Sequence, residues 1–215
     1  EGFENAASIP NSDWQVENPD GGTTWQVTST ASDLGTKSLK INNYSNNEEG
    51  DMDELISMPY DLSNMASATM TFSYAFAQKS PSNTDKLQIL ASNDCGVTWA
   101  VRKSIAASQM STTGGSTVSS NFVPTEEQWK DITVTSIVGS FLTDGFKYKF
   151  LFTSGNGNNL YVDNINIYGT DISGNQVGSP TAIAEFINEN NVTVYPNPAN
   201  DNVSIAVDLT NRQES

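Results

Sequence analysis

Two segments of the chain alternate between apolar side chains and polar or small ones, and this pattern constrains the fold most. The segments are 68–77, ATMTFSYAFA, and 146–152, FKYKFLF. Met70, Phe72, Tyr74 and Phe76 share one face of the first segment, and Phe146, Tyr148, Phe150 and Phe152 share one face of the second. A period of two residues is typical of half-buried antiparallel strands. Both segments are therefore predicted to be strands with one face in a core.

Weaker strand patterns recur along most of the remaining chain. They cover 12–16, 24–29, 37–43, 54–57, 85–91, 97–103, 129–136 and 159–168. Turn-forming sequences separate them, namely PDGG at 19–22, NDCG at 93–96, GG at 114–115 and GNG at 155–157. Asn, Ser and Thr make up 71 of the 215 residues, a composition that disfavours long helices. The sequence predicts an all-β, antiparallel β-sandwich, in the form of a jelly roll.

Composition also excludes several kinds of site. The chain has no histidine, so it contains no Ser-His-Asp triad, Cys-His pair or imidazole-bound zinc. Its single cysteine, Cys95, excludes an internal disulfide and is predicted to be an inert thiol, since no basic residue adjoins it. A net charge of −15 disfavours binding to nucleic acid or anionic lipid. No apolar run approaches the length of a membrane span.

The pattern changes near Gly169. Residues 169–180, GTDISGNQVGSP, have the composition of a linker, and a new strand-like pattern begins at Val192. The predicted organisation is a jelly-roll module at 1–169, a linker at 170–191, and the first strands of a second, truncated β-sandwich unit at 192–215. Because the chain starts at Glu1 without a signal-like segment, we expect a mature or excised fragment with any export signal upstream.

The tail at 192–205, VTVYPNPANDNVSI, combines two alternating apolar patterns with a proline-rich turn. The motif residues are Tyr195, Pro196, Asn197, Pro198 and Asp201. This tail resembles the start of the type A C-terminal sorting domain of type IX secretion, used by Bacteroidota. The resemblance implies export across the outer membrane and recognition by the translocon or its shuttle protein. The alternative is an ordinary β-hairpin.

Four pieces of the body carry a second resemblance. They are Gly2-Phe3-Glu4, DELISMPYDLS at 53–63, SNDCGVTW at 92–99 and YVDNINI at 161–167. In this order they resemble the MAM-related, choice-of-anchor jelly-roll modules of secreted Bacteroidota proteins. Such modules often follow pappalysin-like metalloprotease domains. An H-E-x-x-H metal site needs histidine, so any such catalytic domain lies outside this chain.

Asp163 is the first candidate site residue. On strand 159–168 it is predicted to share a face with Tyr161, Ile165 and Ile167, and a buried carboxylate needs a cation, a base or several hydrogen-bond donors. The family resemblance implies a structural calcium ion with ligands Glu4, Asn42, Asp53 and Asp163. Oxygen ligands of this kind suit calcium. The alternative is that Asp163 only accepts hydrogen bonds, from the backbone or from Asn164.

Two further features were candidates for binding. Residues 48–54 hold five acids and predict either a cation-binding loop or a solvated acidic loop, without the spacing of an EF-hand. Trp14 and Trp25 flank the PDGG loop and could form a surface for stacking a sugar. Taken together, the sequence predicts a non-catalytic accessory or binding module of a secreted or cell-surface protein, with a glycan or protein ligand. The alternative is an autonomous jelly-roll carbohydrate-active enzyme or a carbohydrate-binding module.

Overall fold

The structure is a computed structural model that describes residues 2–46, 48–135 and 137–178, with the backbone of 192–193 and 206–207. The chain divides into two units, Glu1–Thr181 and Ala182–Ser215. Each unit is described by itself below.

Eleven strands form the described part of the first unit. They are β1 Trp14–Glu17, β2 Trp25–Thr28, β3 Ser38–Ile41, β4 Met52–Ser57, β5 Met65–Phe76, β6 Lys86–Ser92, β7 Ala100–Ala106, β8 Lys130–Val134, β9 Lys147–Thr153, β10 Leu160–Asp171 and β11 Gln176–Val177. Each of the ten predicted strand segments corresponds to one of β1 to β10. The strand β11 was not predicted.

The strands form two antiparallel sheets. One sheet has the order β1-β4-β9-β6-β7, and the other has the order β2-β3-β10-β5-β8, with β11 paired to β10. The eight strands from β3 to β10 have the connectivity of a jelly roll. One sheet contains them in the order β3-β10-β5-β8, and the facing sheet in the order β4-β9-β6-β7. The prediction of an all-β sandwich is confirmed.

Aromatic side chains fill the space between the sheets. Phe72 of β5 meets Phe150 of β9 edge to face, with ring centroids 5.0 Å apart, and Trp25 packs against the same Phe150 ring. All eight apolar residues of the two alternating patterns are buried in this core. Burial of each such side chain stabilises the fold by roughly 1.5–3 kcal/mol. The period-two pattern therefore identified the inner face of both central strands.

Strand β10 contains a bulge that changes which side chains share a face. Its pairing with β5 shifts register between Asp163 and Asn166, and Asn164 has a φ of 50°. Before the bulge, Tyr161 packs with Phe122 on the outer side of the sheet, whereas Ile165 after the bulge lies in the main core. Asp163 is buried under a covering loop on the outer side of the sheet. The prediction that Asp163 shares a face with Ile165 is therefore wrong.

The last strand continues past the predicted domain boundary. Gly169 lies within β10, which runs on to Asp171 and then returns as β11, with Gly169 opposite Val177. A Cβ atom at Gly169 would overlap the carbonyl oxygen of Ser67, so the close approach of β5 requires glycine here. Residues 170–171 and 176–177 thus belong to the sheet, although their composition resembles a linker.

Helices are short. The α-helix α1 spans Ala107–Met110, and 3-10 turns span Asn43–Ser45, Glu126–Gln128 and Gly139–Phe141. No helix within the described ranges has the length and apolar character needed to cross a membrane.

In the second unit, β12 Val192–Thr193 pairs antiparallel with β13 Ala206–Val207. The sorting-motif residues Tyr195, Pro196, Asn197, Pro198 and Asp201 lie outside the described residues.

Candidate functional sites

Asp163 is held by backbone N–H groups. Its Oδ2 accepts from the N–H groups of Asp33 at 2.9 Å and Leu34 at 3.1 Å, and its Oδ1 accepts from Asn164 at 2.7 Å. Burial raises the pKa of Asp163 to about 6, outweighing these hydrogen bonds. The arrangement fastens the loop between β2 and β3 onto the outer side of β10.

Glu4 holds the same loop a few residues further along. Its Oε1 accepts from the backbone N–H groups of Thr36 and Lys37, both at 2.9 Å, and its Oε2 accepts from the Thr36 hydroxyl at 2.6 Å. Slight burial pushes the pKa of Glu4 upward, but the hydrogen bonds from Thr36 and Lys37 together lower it. The Lys37 ammonium also donates to the carbonyl oxygens of Glu4 and Ala6. Glu4 and Asp163 therefore both contact the 33–37 loop, whose backbone N–H groups donate to the two carboxylates.

Asp53 and Asn42 lie elsewhere in the sandwich. Asp53 faces inward on β4 next to Thr24 and is only 2% exposed. Asn42 directly follows β3, at the end of the sandwich where β2 begins. Burial, assisted by the nearby charges of Asp20 and Asp51, raises the pKa of Asp53 to about 6. The structure thus does not place all four predicted calcium ligands in one contact group.

Three of the five acids of 48–54 contact different partners. Glu49 accepts from the Thr84 hydroxyl, Asp51 accepts from the Asn46 side chain, and Glu54 pairs with Lys149. Within residues 2–46, 48–135 and 137–178, no three acidic or cysteine side chains gather into a group that could hold a metal ion. The run is therefore not one carboxylate cage.

Trp14 and Trp25 do not form a sugar-stacking surface. Their side chains are only 2% and 1% exposed, and both belong to the core between the sheets. Trp14 packs edge to face on Tyr148, with ring centroids 5.7 Å apart. The interpretation as a binding pair is wrong because each tryptophan occupies an inward position of its strand, although a polar loop joins the two.

A different tryptophan lies on the outer side of the five-stranded sheet. Trp99 is half-buried, and the Lys149 ammonium lies 4.7 Å from the centroid of its ring. The same ammonium forms an ion pair with Glu54 at 2.6 Å. By strand alternation, Gln88 and Leu151 face outward beside them, opposite each other in the ladder. We call Glu54, Gln88, Trp99, Lys149 and Leu151 the outer sheet face.

A cleft of about 460 Å³ opens between the edge strands of the two sheets. Lys103 on β7 and Lys130 on β8 lie on its two sides, with the Tyr74 hydroxyl between the sheets. The Tyr74 hydroxyl is buried and has no hydrogen-bond partner among the described residues. In a chain of net charge −15, two lysines at one cleft favour a ligand with an anionic group.

The sequence did not identify Asp85, which organises the loops at one end of the sandwich. Its Oδ1 accepts from the Asn43 side chain at 2.8 Å and from the N–H groups of Gly155 at 2.9 Å and Gly157 at 3.1 Å. Asn43 and Asp85 are fully buried. These partners lie 42 to 72 residues from Asp85 along the chain, so no local motif signals this site.

The turn at 93–96 forms as predicted. Cys95 is exposed with a φ of 59°, and its backbone N–H donates to the carbonyl oxygen of Gly145 at 2.9 Å. The inertness of its thiol stays a prediction.

Solved structures share this fold. The K2 cleaved adhesin domain of Lys-gingipain superposes with a TM-score of 0.55 and 16% identity, covering 77% of this chain and 95% of that domain. The K1 and K3 adhesin domains of Lys-gingipain from Porphyromonas gingivalis both give a TM-score of 0.52, with 19% and 20% identity. K1 covers 79% of this chain and 96% of its own, and K3 covers 78% and 96%. At these identities the likeness shows the fold alone.

No protein-family model matches the sequence, and no curated protein is similar to it.

Proposed function

We propose that the first unit is a non-catalytic glycan-binding module of a secreted or cell-surface protein. The outer sheet face is the observation that carries the proposal. A tryptophan ring there is partly open to solvent, the Lys149 ammonium lies over it and pairs with Glu54, and the Gln88 amide belongs to the same face. An aromatic ring stacks on the apolar face of a sugar, while the polar groups bind its hydroxyls. The adhesin domains with the same fold support a role in adhesion.

The geometry around Trp99 favours a preformed site. The Lys149 side chain is held between the Trp99 ring and Glu54, and the loop preceding Trp99 packs over the stem of Lys147 at Gly96. Side chains fixed in this way lose little freedom when a ligand binds, which preserves affinity.

Binding to immobilised xylan, cellulose, galactan and hyaluronan tests the proposal. For the polysaccharide that binds, Trp99→Ala is expected to weaken affinity about tenfold or more. Trp129→Ala is the matched control, because Trp129 is also half-buried but packs on Tyr161 of the other sheet. The proposal fails if none of the four is retained, or if both variants weaken binding equally.

We also propose that the tail is the start of a type IX sorting domain. The Y-P-N-P motif and the antiparallel pairing of β12 with β13 support this reading. A translocon or shuttle protein could recognise such a hairpin by adding a strand to its edge. Export of the full-length protein should be lost when Tyr195–Pro198 is replaced by alanine, while export of a type IX cargo with an intact tail continues. Undiminished export of the altered protein would refute the proposal.

The calcium ion implied by the family resemblance at Glu4 and Asp163 stays a prediction. Both carboxylates already accept hydrogen bonds from the 33–37 loop, so an ion there would have to bind alongside these donors or replace them. It would be supported if calcium raised the melting temperature of the wild type but not that of Asp163→Asn, and refuted if Asp163→Asn kept the whole calcium-dependent rise.

A further inference from the structure

Three side-chain oxygens near the start of β4 are buried and have no hydrogen-bond partner in the described part of the chain. They are Asn18 Oδ1, Thr24 Oγ1 and Asp53 Oδ1. A buried polar atom without a partner costs about 1–3 kcal/mol, more when it is charged. Three such atoms at one place in the fold therefore call for an explanation.

The ladder between β1 and β4 brings two of these groups together. Its register pairs Val16 with Leu55 and Glu17 with Glu54, so the next position along places Asn18 opposite Asp53. Val16 and Leu55 both pack into the core, and alternation along β4 gives Asp53 the same inward direction as Leu55. Directly opposed residues have Cβ atoms roughly 5 Å apart. The charge of Asp20, in the same 18–22 loop as Asn18, acts on Asp53, so this loop and the start of β4 are neighbours.

Thr24 completes the group from the other sheet. Its side chain lies against the Asp53 carboxylate and favours the charged form, although neither oxygen reaches a full hydrogen bond. The neighbouring Trp25 donates its indole N–H to the Asp53 carbonyl oxygen at 3.2 Å, which ties β2 to β4.

The 18–22 loop is fixed in a form that keeps Asn18 Oδ1 available. The Asn18 side-chain amide nitrogen donates to the Gly22 carbonyl oxygen at 3.0 Å, and the Asn18 carbonyl oxygen accepts from Gly21 at 3.3 Å. The donor end of the amide is thus used within the loop. Its acceptor end is the atom without a partner.

Charge at this position is also uncompensated. Asp20 and Asp51 lie close enough to Asp53 to repel its charge. In the described ranges the salt bridge is the Lys149–Glu54 pair, which does not involve Asp53. An inward carboxylate in this setting is stabilised by a cation.

We propose that Asn18, Thr24 and Asp53 bind a calcium ion between the ends of β1, β2 and β4. A carboxylate, an amide oxygen and a hydroxyl are hard oxygen ligands of the kind that calcium prefers, with backbone carbonyls and water filling the remaining positions. The ion joins the two sheets beside Trp25. This site is distinct from the predicted one at Glu4 and Asp163, and it does not depend on glycan binding.

The first experiment compares melting of the full chain in excess calcium and in chelator. Calcium at about a hundredfold over Kd should raise the wild-type melting temperature by roughly 5–10 °C. The shift should vanish in Asp53→Asn and shrink in Thr24→Val, which removes the hydroxyl while keeping the shape. Asp163→Asn is the matched control and should keep the shift, since that carboxylate lies at the other candidate site.

Melting of Asp53→Asn in chelator shows whether this substitution simply unfolds the protein. Asp53→Asn removes a buried charge and its repulsion from Asp20 and Asp51, so in chelator it should melt no lower than the wild type. A shift that persists in Asp53→Asn, or equal wild-type melting in calcium and chelator, would overturn the site.

Terbium luminescence locates the ion. Terbium replaces calcium at oxygen sites and emits when a nearby tryptophan is excited, and Trp25 adjoins this site. Calcium-displaceable emission should appear in the wild type and in Asp163→Asn, and disappear in Asp53→Asn. Emission lost in Asp163→Asn but kept in Asp53→Asn would contradict the proposal and place the ion at Glu4 and Asp163.

Discussion

Asp53, Asp85 and Asp163 are buried carboxylates that the fold stabilises in different ways. Asp163 accepts backbone N–H groups from a covering loop, and Asp85 gathers an amide and two glycine N–H groups from separate loops. Asp53 Oδ1 and Asp85 Oδ2 both lack a hydrogen-bond partner in the described residues, but Asp85 gathers three donors on its other oxygen. The same residue type thus serves to close a loop, to organise loop ends and, in our proposal, to bind a cation.

Removal of the Asp85 carboxylate should strongly destabilise the protein. Asp85→Ala leaves the N–H groups of Gly155 and Gly157 without an acceptor and removes one of the two acceptors of the Asn43 amide, so we expect a loss of about 3 kcal/mol or more in the free energy of unfolding. Urea denaturation measures it. Asp171→Ala, which affects an exposed turn, should change the midpoint far less. Equal effects of the two substitutions would contradict the role of Asp85.

The raised pKa values of Asp53 and Asp163 predict a pH dependence in chelator. Both pKa values are about 6 in the folded protein, above the ordinary value of 3.8 for an aspartate. Between these values the native state binds more protons than the unfolded state, so the free energy of unfolding rises as pH falls through 6. From pH 7 to pH 5 the gain should be about 1 kcal/mol for each group.

Urea denaturation of the calcium-free protein at the two pH values measures this gain. Acids with lowered pKa values, such as Asp94, weaken the fold only at lower pH, because their unfolded-state pKa is near 4. The double variant Asp53→Asn, Asp163→Asn should lose most of the dependence. A wild type that is less stable at pH 5 than at pH 7 would refute the assignment.

Among the secondary-structure elements, the local sequence pattern predicted which segments form strands. It did not predict where the strands end or how the bulge divides the two faces of β10. The alternating aromatic residues of β5 and β9 predict a buried face, because every second side chain is apolar and its burial is favourable. The bulge at Asn164 is set by pairing with β5, and nothing in 161–167 alone signals it. The two-residue β11 lies in a Gly- and Asn-rich segment whose composition equally suits a linker.

The candidate sites were likewise predicted only where a local sequence pattern signals them. Asp163 was identified because a carboxylate between apolar neighbours is conspicuous in sequence. Asp53 and Asn18 become neighbours only through the β1–β4 register, and Asp85 only through loops distant in sequence. Trp14 and Trp25 were misread because the loop between them is polar, whereas their own strand positions point inward.

The extension of β10 predicts where the chain can be shortened. Ending the protein after Gly178 should leave its melting temperature close to that of the full chain, because the β10–β11 hairpin remains. Ending it after Gly169 removes the pairing of Thr170 with Ser67 and of Asp171 with Met65, together with β11. That cut should cost roughly 1–3 kcal/mol of stability. Equal melting of the two shortened proteins would show that the hairpin contributes nothing.

At the scale of the whole molecule, the first unit is a jelly roll with two surfaces suited to ligands. The outer sheet face offers an aromatic ring with polar groups, and the edge cleft offers two lysines. The absence of histidine from the sequence removes the most common general base. These features agree with the proposed role as a binding module.

The central claim is that this protein binds a glycan without cleaving it. The most direct measurement incubates the full chain with the polysaccharide that retains it, and follows bound protein and released reducing or unsaturated ends in the same sample. We expect retention that Trp99→Ala weakens about tenfold or more, with no release of new chain ends over long incubation. Release of chain ends by the wild type, or retention that does not depend on Trp99, would contradict it.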